Sequence, residues 1–274
     1  MPLISLIGKK FKNCWGEIMT KLEKILKLNK FLMAEMPDVE VADVPKNLKS
    51  QRQLLRGLMN IRPPMPLDEN FLKLQDEILS EEVAERGIVK ISEIPDVDKN
   101  IKIWQGDITR LEVDAIVNAA NSALLGCFIP CHKCIDNAIH SAAGLQLRDA
   151  CNKISNGNEP TGQAKITPAF NLPSKFVIHT VGPIITHNHA PNINDENLLA
   201  NCYQSCLELA KKYHLKSIAF CCISTGEFHF PNQRAAEIAV ATVKNFLTKN
   251  NLIVVFNVFK DLDLEIYQKI LGID

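Results

Sequence analysis

No stretch of about 18 apolar residues runs through this 274-residue chain, so no membrane-spanning helix is expected. Net charge is absent as well, with 31 Lys and Arg against 31 Asp and Glu. That balance excludes a chain-wide basic field of the kind that dominates nucleic-acid affinity, and no direct nucleic-acid partner is expected. A convincing secretory leader is also missing. In the opening MPLISLIGKKFKNCWGEIM the apolar run is short and precedes the lysines, the reverse of a signal peptide. Nine cysteines without such a signal point to a reducing, intracellular and cytoplasmic setting. Cysteines there are buried, metal-bound or reactive rather than paired. Cys14, Cys151, Cys202, Cys206, Cys221 and Cys222 read as small buried hydrophobes.

Before residue 100 there is no catalytic motif. Lysines at 9, 10, 12, 21, 24, 27 and 30 alternate with Phe11, Trp15, Ile18, Leu22, Ile25, Leu26 and Leu28 at helical spacing. This is a basic amphipathic helix, read as packing by one face, with membrane or targeting use as the alternative. Residues 37–46 read as a linker. Helical periodicity follows over 48–61 and 67–85, interrupted by Arg62-Pro63-Pro64. Residues 1–90 are therefore expected to be a helical extension and 91–274 the main domain.

The pattern then changes. Short apolar runs at 101–105, 114–119, 164–170, 176–181, 217–222 and 252–259 alternate with helical patterns at 135–151, 197–214, 232–249 and 262–271. Such alternation implies a sheet with many parallel neighbours, covered by helices on both faces. Ligands in such folds lie at the carboxyl ends of the strands. Three unusual loops fall at those places. One is Gln105-Gly106-Asp107-Ile108-Thr109. The second is the long segment from Asn118 to His140. The third, Ile223-Ser224-Thr225-Gly226-Glu227-Phe228, has the small residues of a turn that aims backbone N–H groups at an anion, or of an ordinary strand-to-helix turn.

The second loop carries most of the chemistry. Asn118 and Asn121 end a buried strand, where an amide needs a partner in a local turn or a polar ligand. Gly126 lets a backbone approach closely. Cys127, His132 and Cys134 follow in the spacing Cys-x4-His-x-Cys. Thiolate and imidazole suit Zn(II), and three ligands leave a fourth position open, although this is no common zinc-finger spacing. Cys131 adjoins His132, and adjacent residues seldom converge on one ion, so it is read as a bystander. Asp136 at a helix start is either a dipole-stabilised acid or a carboxylate placed to hold a water. His140 lies one turn further on, as a packing or supporting histidine.

Gly106-Asp107-Ile108-Thr109, Val117-Asn118-Ala119-Ala120-Asn121-Ser122, Ala138-Ile139-His140 with Ser141-Ala142-Ala143-Gly144, and Ser224-Thr225-Gly226 together resemble a macrodomain. The run Gly126-Cys127-Phe128-Ile129-Pro130, continuing to His132, Cys134, Ile135, Asp136 and Asn137, resembles the zinc-containing class. Its bacterial and protist members remove ADP-ribose from proteins. The resemblance covers roughly residues 90–274. It implies a three-layer α/β/α sandwich with a mixed central sheet and an N-terminal helical extension.

The resemblance also assigns roles. Asp107 would accept from the adenine amine, and the Ile108 N–H would face the ring. The backbone of Ser224, Thr225, Gly226, Glu227 and Phe228 would surround the diphosphate, opposite Leu125 and Gly126. Asn118 belongs to the same substrate-binding set. Asn121 would hold the distal ribose, and Phe228 would flank it. Cys127, His132 and Cys134 would bind one zinc ion, and Asp136 matches the catalytic aspartate of related hydrolases. The expected function is zinc-dependent removal of mono-ADP-ribose from protein side chains. The alternatives are a non-catalytic ADP-ribose reader and a hydrolase of a small ADP-ribose derivative. Cys131 and Glu227 depart from the pattern. Glu227 puts a negative charge beside the diphosphate site and is expected to face solvent.

Overall fold

The computed structural model describes residues 19–186 and 190–273. The expected amphipathic helix over the first thirty residues lies outside the described residues up to Ile18, and Cys14 lies outside them too. From Lys21 the helix is present as α1 (Lys21–Glu35), opened by a Thr20–Glu23 capping box. It is followed by α2 (Leu48–Ile61) and α3 (Glu69–Arg86). Ile25, Leu28, Leu32, Leu55, Leu58, Phe71 and Ile78 form the apolar centre of this unit, which Leu145 of the main domain joins.

The main domain begins with β1 (Val89–Lys90), β2 (Asp96–Asp98), β3 (Ile101–Gln105) and β4 (Leu111–Glu112). Next come β5 (Ala115–Ala119), α4 (Ile135–Ala143), α5 (Leu145–Ile154), β6 (Ala164–Pro168) and β7 (Phe176–Thr180). The chain closes with α6 (Ile193–Lys212), β8 (Ser217–Phe220), α7 (Asn232–Leu247), β9 (Ile253–Val258) and α8 (Asp261–Leu271). The seven-stranded sheet runs β2-β3-β9-β8-β5-β7-β6. The β3–β9, β9–β8, β8–β5 and β5–β7 pairs are parallel, and the edge strands β2 and β6 pair antiparallel. Strand β1 pairs only with β4, outside this sheet.

The buried β5, with Ala115, Ile116, Val117 and Asn118 all inaccessible, carries the topology. From β5 the chain runs out to β7 on one side and then returns to β8 and β9 on the other. The loops leaving β5 and β8 therefore sit at the switch in strand order, where sheets of this kind bind ligands. Two of the three loops singled out in the sequence leave the sheet there, and the third leaves β3.

The structure corrects one helix. A single helix over 135–151 is expected, but α4 and α5 meet at a break at Gly144 (φ 94°). The cause comes from the N-terminal unit. Gln75 of α3 accepts a hydrogen bond from the Leu145 N–H at 2.9 Å, so it caps α5 from outside. A side chain at 144 would meet Gln75 Nε2 at 2.6 Å. The short strands β1, β2 and β4 carry too few residues to show a period, and the sequence reading misses them.

Candidate functional site

Asp136 occupies the first turn of α4 and is almost fully buried. Its Oδ1 accepts from Asn118 Nδ2 at 2.7 Å, and Asn121 Nδ2 stands 3.5 Å from Oδ2. Burial pushes its carboxyl up to about 6, against the Asn118 hydrogen bond and the positive charge of Arg148. Both asparagines come from the end of β5, so the strand delivers the amides and the helix the carboxylate. Asn121 is partly accessible and also donates to Gly126 O at 3.0 Å.

Asn118 lies deeper than Asn121. It was expected among the substrate-binding residues, yet it is 0% exposed. Its Nδ2 is shared between Asp136 and His179 Nδ1, at 3.2 Å from the latter. Its amide nitrogen is thus taken up by Asp136 and His179. An amide nitrogen can only donate, so His179 Nδ1 accepts and its Nε2 carries the proton, toward Thr167 Oγ1 at 2.9 Å. Burial holds His179 down at about 3.

Cys127, His132 and Cys134 converge, their donor atoms all lying within 4.8 Å of one another. Cys127 Sγ is 3.6 Å from His132 Nδ1. Two donors on a tetrahedral Zn(II) stand about 3.6 Å apart, given bonds of about 2.3 and 2.1 Å. A thiol–imidazole hydrogen bond has a similar length, and the third donor is what makes the set suit a metal. Cys134 also caps α4, accepting from the Asn137 N–H at 3.4 Å. Burial pushes its thiol up to about 12, with Cys127 and Asp136 adding to the rise, so a thiolate here needs a cation beside it. Cys131 takes no part, since its thiol donates to Gln53 O at 3.4 Å.

A second donor cluster, His140, Cys151 and His179, is fully buried. It does not suit a metal, because both nitrogens of His179 are already engaged. His140 Nε2 lies 3.5 Å from Asp136 Oδ1. Burial first, then the charges of His179 and Arg148, hold His140 well below the usual histidine range. The pair is thus no ion pair, and His140 packs as a neutral ring. It packs under Gly126 (φ 82°), where a Cβ would meet the ring at 2.9 Å. Only glycine passes there, which fixes the start of the Cys127 loop.

In the third loop Ser224 has φ 65°, and its side chain is turned inward against Gly182. Only its backbone is available to a ligand. Thr225 Oγ1 returns to Cys222 O at 3.0 Å. The N–H groups of Gly226, Glu227 and Phe228 make no hydrogen bond among the described residues, while the Phe228 carbonyl accepts from Ile185. Three free consecutive amides suit an anion. Helix α7 starts only at Asn232, however, so the loop does not run straight into a helix N-terminus as expected. Glu227 is exposed as expected, and its carboxylate also reaches His132 Nε2 at 3.7 Å.

The first loop ends β3. Asp107 Oδ1 accepts from the Thr109 N–H and hydroxyl, and Arg86 of α3 donates to Oδ2 at 3.0 Å. Over a third of its side chain stays exposed. Ile108 is buried as the anchor of this turn. Leu125 is half-buried, and its carbonyl accepts from Arg148 Nε at 2.7 Å. A cleft of about 450 Å3 lies between residues 39–45, α2 and Pro130–Cys131. Asp136, Cys127, His132 and Cys134 do not line it, so it is not where these groups converge.

Sequence reasoning missed Arg148, His179, Arg56 and Asn60. Arg148 is buried on the inward face of α5 with Leu147 and Cys151, and a charge on an apolar face is the signal that could have found it. Among the remaining cysteines, Cys151, Cys202, Cys206 and Cys221 are buried and Cys222 partly so. Among the described residues no helix is long and apolar enough to cross a membrane.

Residues 117–239 match the Macro domain family. A protein-ADP-ribose hydrolase of Treponema medium is 50% identical over 263 residues, 93% of this chain and 100% of the relative. The Oceanobacillus iheyensis macrodomain with ADP is 44% identical, covering 65% of this chain and 94% of that one at a TM-score of 0.58. The Trypanosoma brucei macrodomain in complex with ADP-ribose is 30% identical, covering 76% and 92% at a TM-score of 0.63. Given these relatives and its mixed sheet flanked by helices, the chain belongs to the macrodomain family.

Proposed function

We propose that this protein is a zinc-dependent hydrolase that removes mono-ADP-ribose from modified protein side chains. The observation that carries the reading is the meeting of Cys127, His132 and Cys134 one turn from the buried Asp136. A module that only reads ADP-ribose needs neither an open metal set nor a carboxylate held by two asparagines.

In this reading the three free amides at 226–228 take the diphosphate, and the exposed part of Asp107 takes the adenine amine. Asn121 turns the distal ribose toward Asp136. The carboxylate, fixed by Asn118, positions a water against C1″ and takes its proton as the bond to the acceptor side chain breaks. Cys127, His132 and Cys134 would hold zinc, which when bound polarises a hydroxyl or lowers the pKa of a water. Glu227, facing His132 Nε2, would orient that imidazole.

The test is release of ADP-ribose from a mono-ADP-ribosylated protein by metal-loaded and by chelator-treated enzyme. Loss of release on chelation and recovery with zinc support the proposal. Release indifferent to chelation removes the metal from it. No release in either state, with ADP-ribose still bound, means a reader.

A further inference from the structure

The loop that carries Cys127, His132 and Cys134 has little apolar anchorage of its own. Ile129 is 58% exposed and Phe128 40%. Phe128 lies under the Arg148 guanidinium, at 4.4 Å. Cys131 holds a positive φ of 55°, a conformation costing a non-glycine residue about 1–2 kcal/mol. One internal backbone bond, from the His132 N–H to Ile129 O, spans the loop. Its shape must come from somewhere else.

It comes from α2, about 80 residues earlier in the chain. Arg56 Nη2 donates to His132 O at 3.1 Å, and the same guanidinium holds Asn137 Oδ1 at 2.8 and 3.2 Å. Asn137 in turn donates to Ile129 O at 3.0 Å. Asn60 Oδ1 accepts from the N–H of the strained Cys131 at 2.9 Å, and its Nδ2 donates to Ser141 Oγ of α4 at 3.0 Å. The carbonyl of a metal-donor residue, the N–H of its neighbour and the start of α4 are thus fastened to one face of α2.

We infer that Arg56 and Asn60 are positioning residues for the Cys127–His132–Cys134 loop, which makes the N-terminal helical unit a working part of the site. The inference rests on the zinc-hydrolase reading for its consequence in turnover, and on geometry alone for its consequence in metal affinity. Outer groups that orient ligands are worth about 10- to 100-fold in affinity or activity.

The experiment compares Arg56→Ala with Arg52→Ala in the full-length chain. Arg52 lies one turn earlier on α2 and pairs with Glu82 of α3, so its loss loosens the helical unit without touching the loop. Zn(II) affinity is read by competition with a chromophoric chelator, turnover by ADP-ribose release, ADP-ribose affinity by calorimetry and folding by thermal melting. Arg56→Ala is expected to lower Zn(II) affinity and kcat about tenfold or more while ADP-ribose affinity holds within about twofold. Arg52→Ala should lower only the melting temperature. Arg56→Lys, with one donor centre in place of a fork, should recover part of both losses. Equal metal affinity and kcat in Arg56→Ala and Arg52→Ala would overturn the inference. If the wild type releases no ADP-ribose, the hydrolase reading falls and metal affinity alone decides. If it binds no zinc, kcat alone decides. If it does neither, both readings fall.

Discussion

Replacing Asn118 by alanine separates a residue that holds Asp136 from one that touches the ligand. The side chain is wholly buried, donating 2.7 Å to Asp136 Oδ1 and standing 3.2 Å from His179 Nδ1. Alanine removes both contacts and leaves two buried acceptors short of a donor. A hydrogen bond to a charged group contributes about 1.5–3 kcal/mol and one to a neutral ring about 1 kcal/mol, so stability should fall by roughly 2–4 kcal/mol. For a chain of this size that lowers the melting temperature by about 10 °C. The effect on turnover follows from placement. Asp136 would lose its 2.7 Å tether, leaving the 3.5 Å approaches of Asn121 to Oδ2 and of His140 to Oδ1. A misplacement of about 1 Å costs up to about 100-fold. The expected result is kcat down by about 10- to 100-fold with ADP-ribose affinity nearly unchanged, and Asn118→Ala and Asp136→Ala should be far from additive in a double-mutant cycle. Turnover on a mono-ADP-ribosylated protein and calorimetry with ADP-ribose measure the two quantities. A tenfold loss of affinity with kcat intact would refute the argument and return Asn118 to the ligand.

Cys134→Ser should lose bound zinc and activity together, and full metal occupancy by elemental analysis would strike Cys134 from the donors. Gly126→Ala places a Cβ 2.9 Å from the His140 ring at φ 82°. It should cost about 2 kcal/mol or more and reduce zinc affinity with it, since the loop must lift; an unchanged melting temperature would show that the loop yields freely. His179 bears on acid stability. Held at about 3 by burial in the folded chain, against an ordinary 6.5, it is neutral in both states above pH 6.5 and costs nothing there. Below that the unfolded chain takes up the proton first, so stability falls as pH drops from 6.5 toward 3, by about 2 kcal/mol at pH 5 from this residue alone. Urea unfolding of wild type and His179→Gln at pH 7 and pH 5 tests this, and equal losses in the two proteins would contradict it.

The sequence was legible where one element decides its own structure. β5, β7, β8 and β9 show as apolar runs because a parallel strand is buried on both faces. α2 can be read to both its ends because Asn47 caps it and Arg62-Pro63-Pro64 stops it. The helix break at Gly144 was not legible. Within 135–151 only Gly144 hints at it, and the group that caps α5 is Gln75, some 70 residues earlier. Periodicity reports a helix's own preference and is silent about a side chain arriving from another element.

The site divides along the same line. Cys127, His132, Cys134 and Asp136 lie within ten residues, and the strand-loop-helix turn that connects them leaves their donors little room to diverge, so spacing was informative. What it could not give is which neighbouring groups act on a ligand and which act on each other. Asn118 and Asn121 are three residues apart and looked equivalent as amides at a strand end. The strand pleat sends the first into the core against His179 of β7, while the second, past the end of β5, stays partly open. That difference is a property of the sheet register, which sets Asn118 opposite His179 and within hydrogen-bond reach of Asp136. Arg56 and Asn60 illustrate the same limit over a longer span. On α2 they are ordinary polar residues of an amphipathic helix, and they acquire a bearing on the Cys127 loop only when that helix docks on α4. Cys127, His132, Cys134 and Asp136 are close together in the chain; Arg56 and Asn60, which bond to their loop, are not.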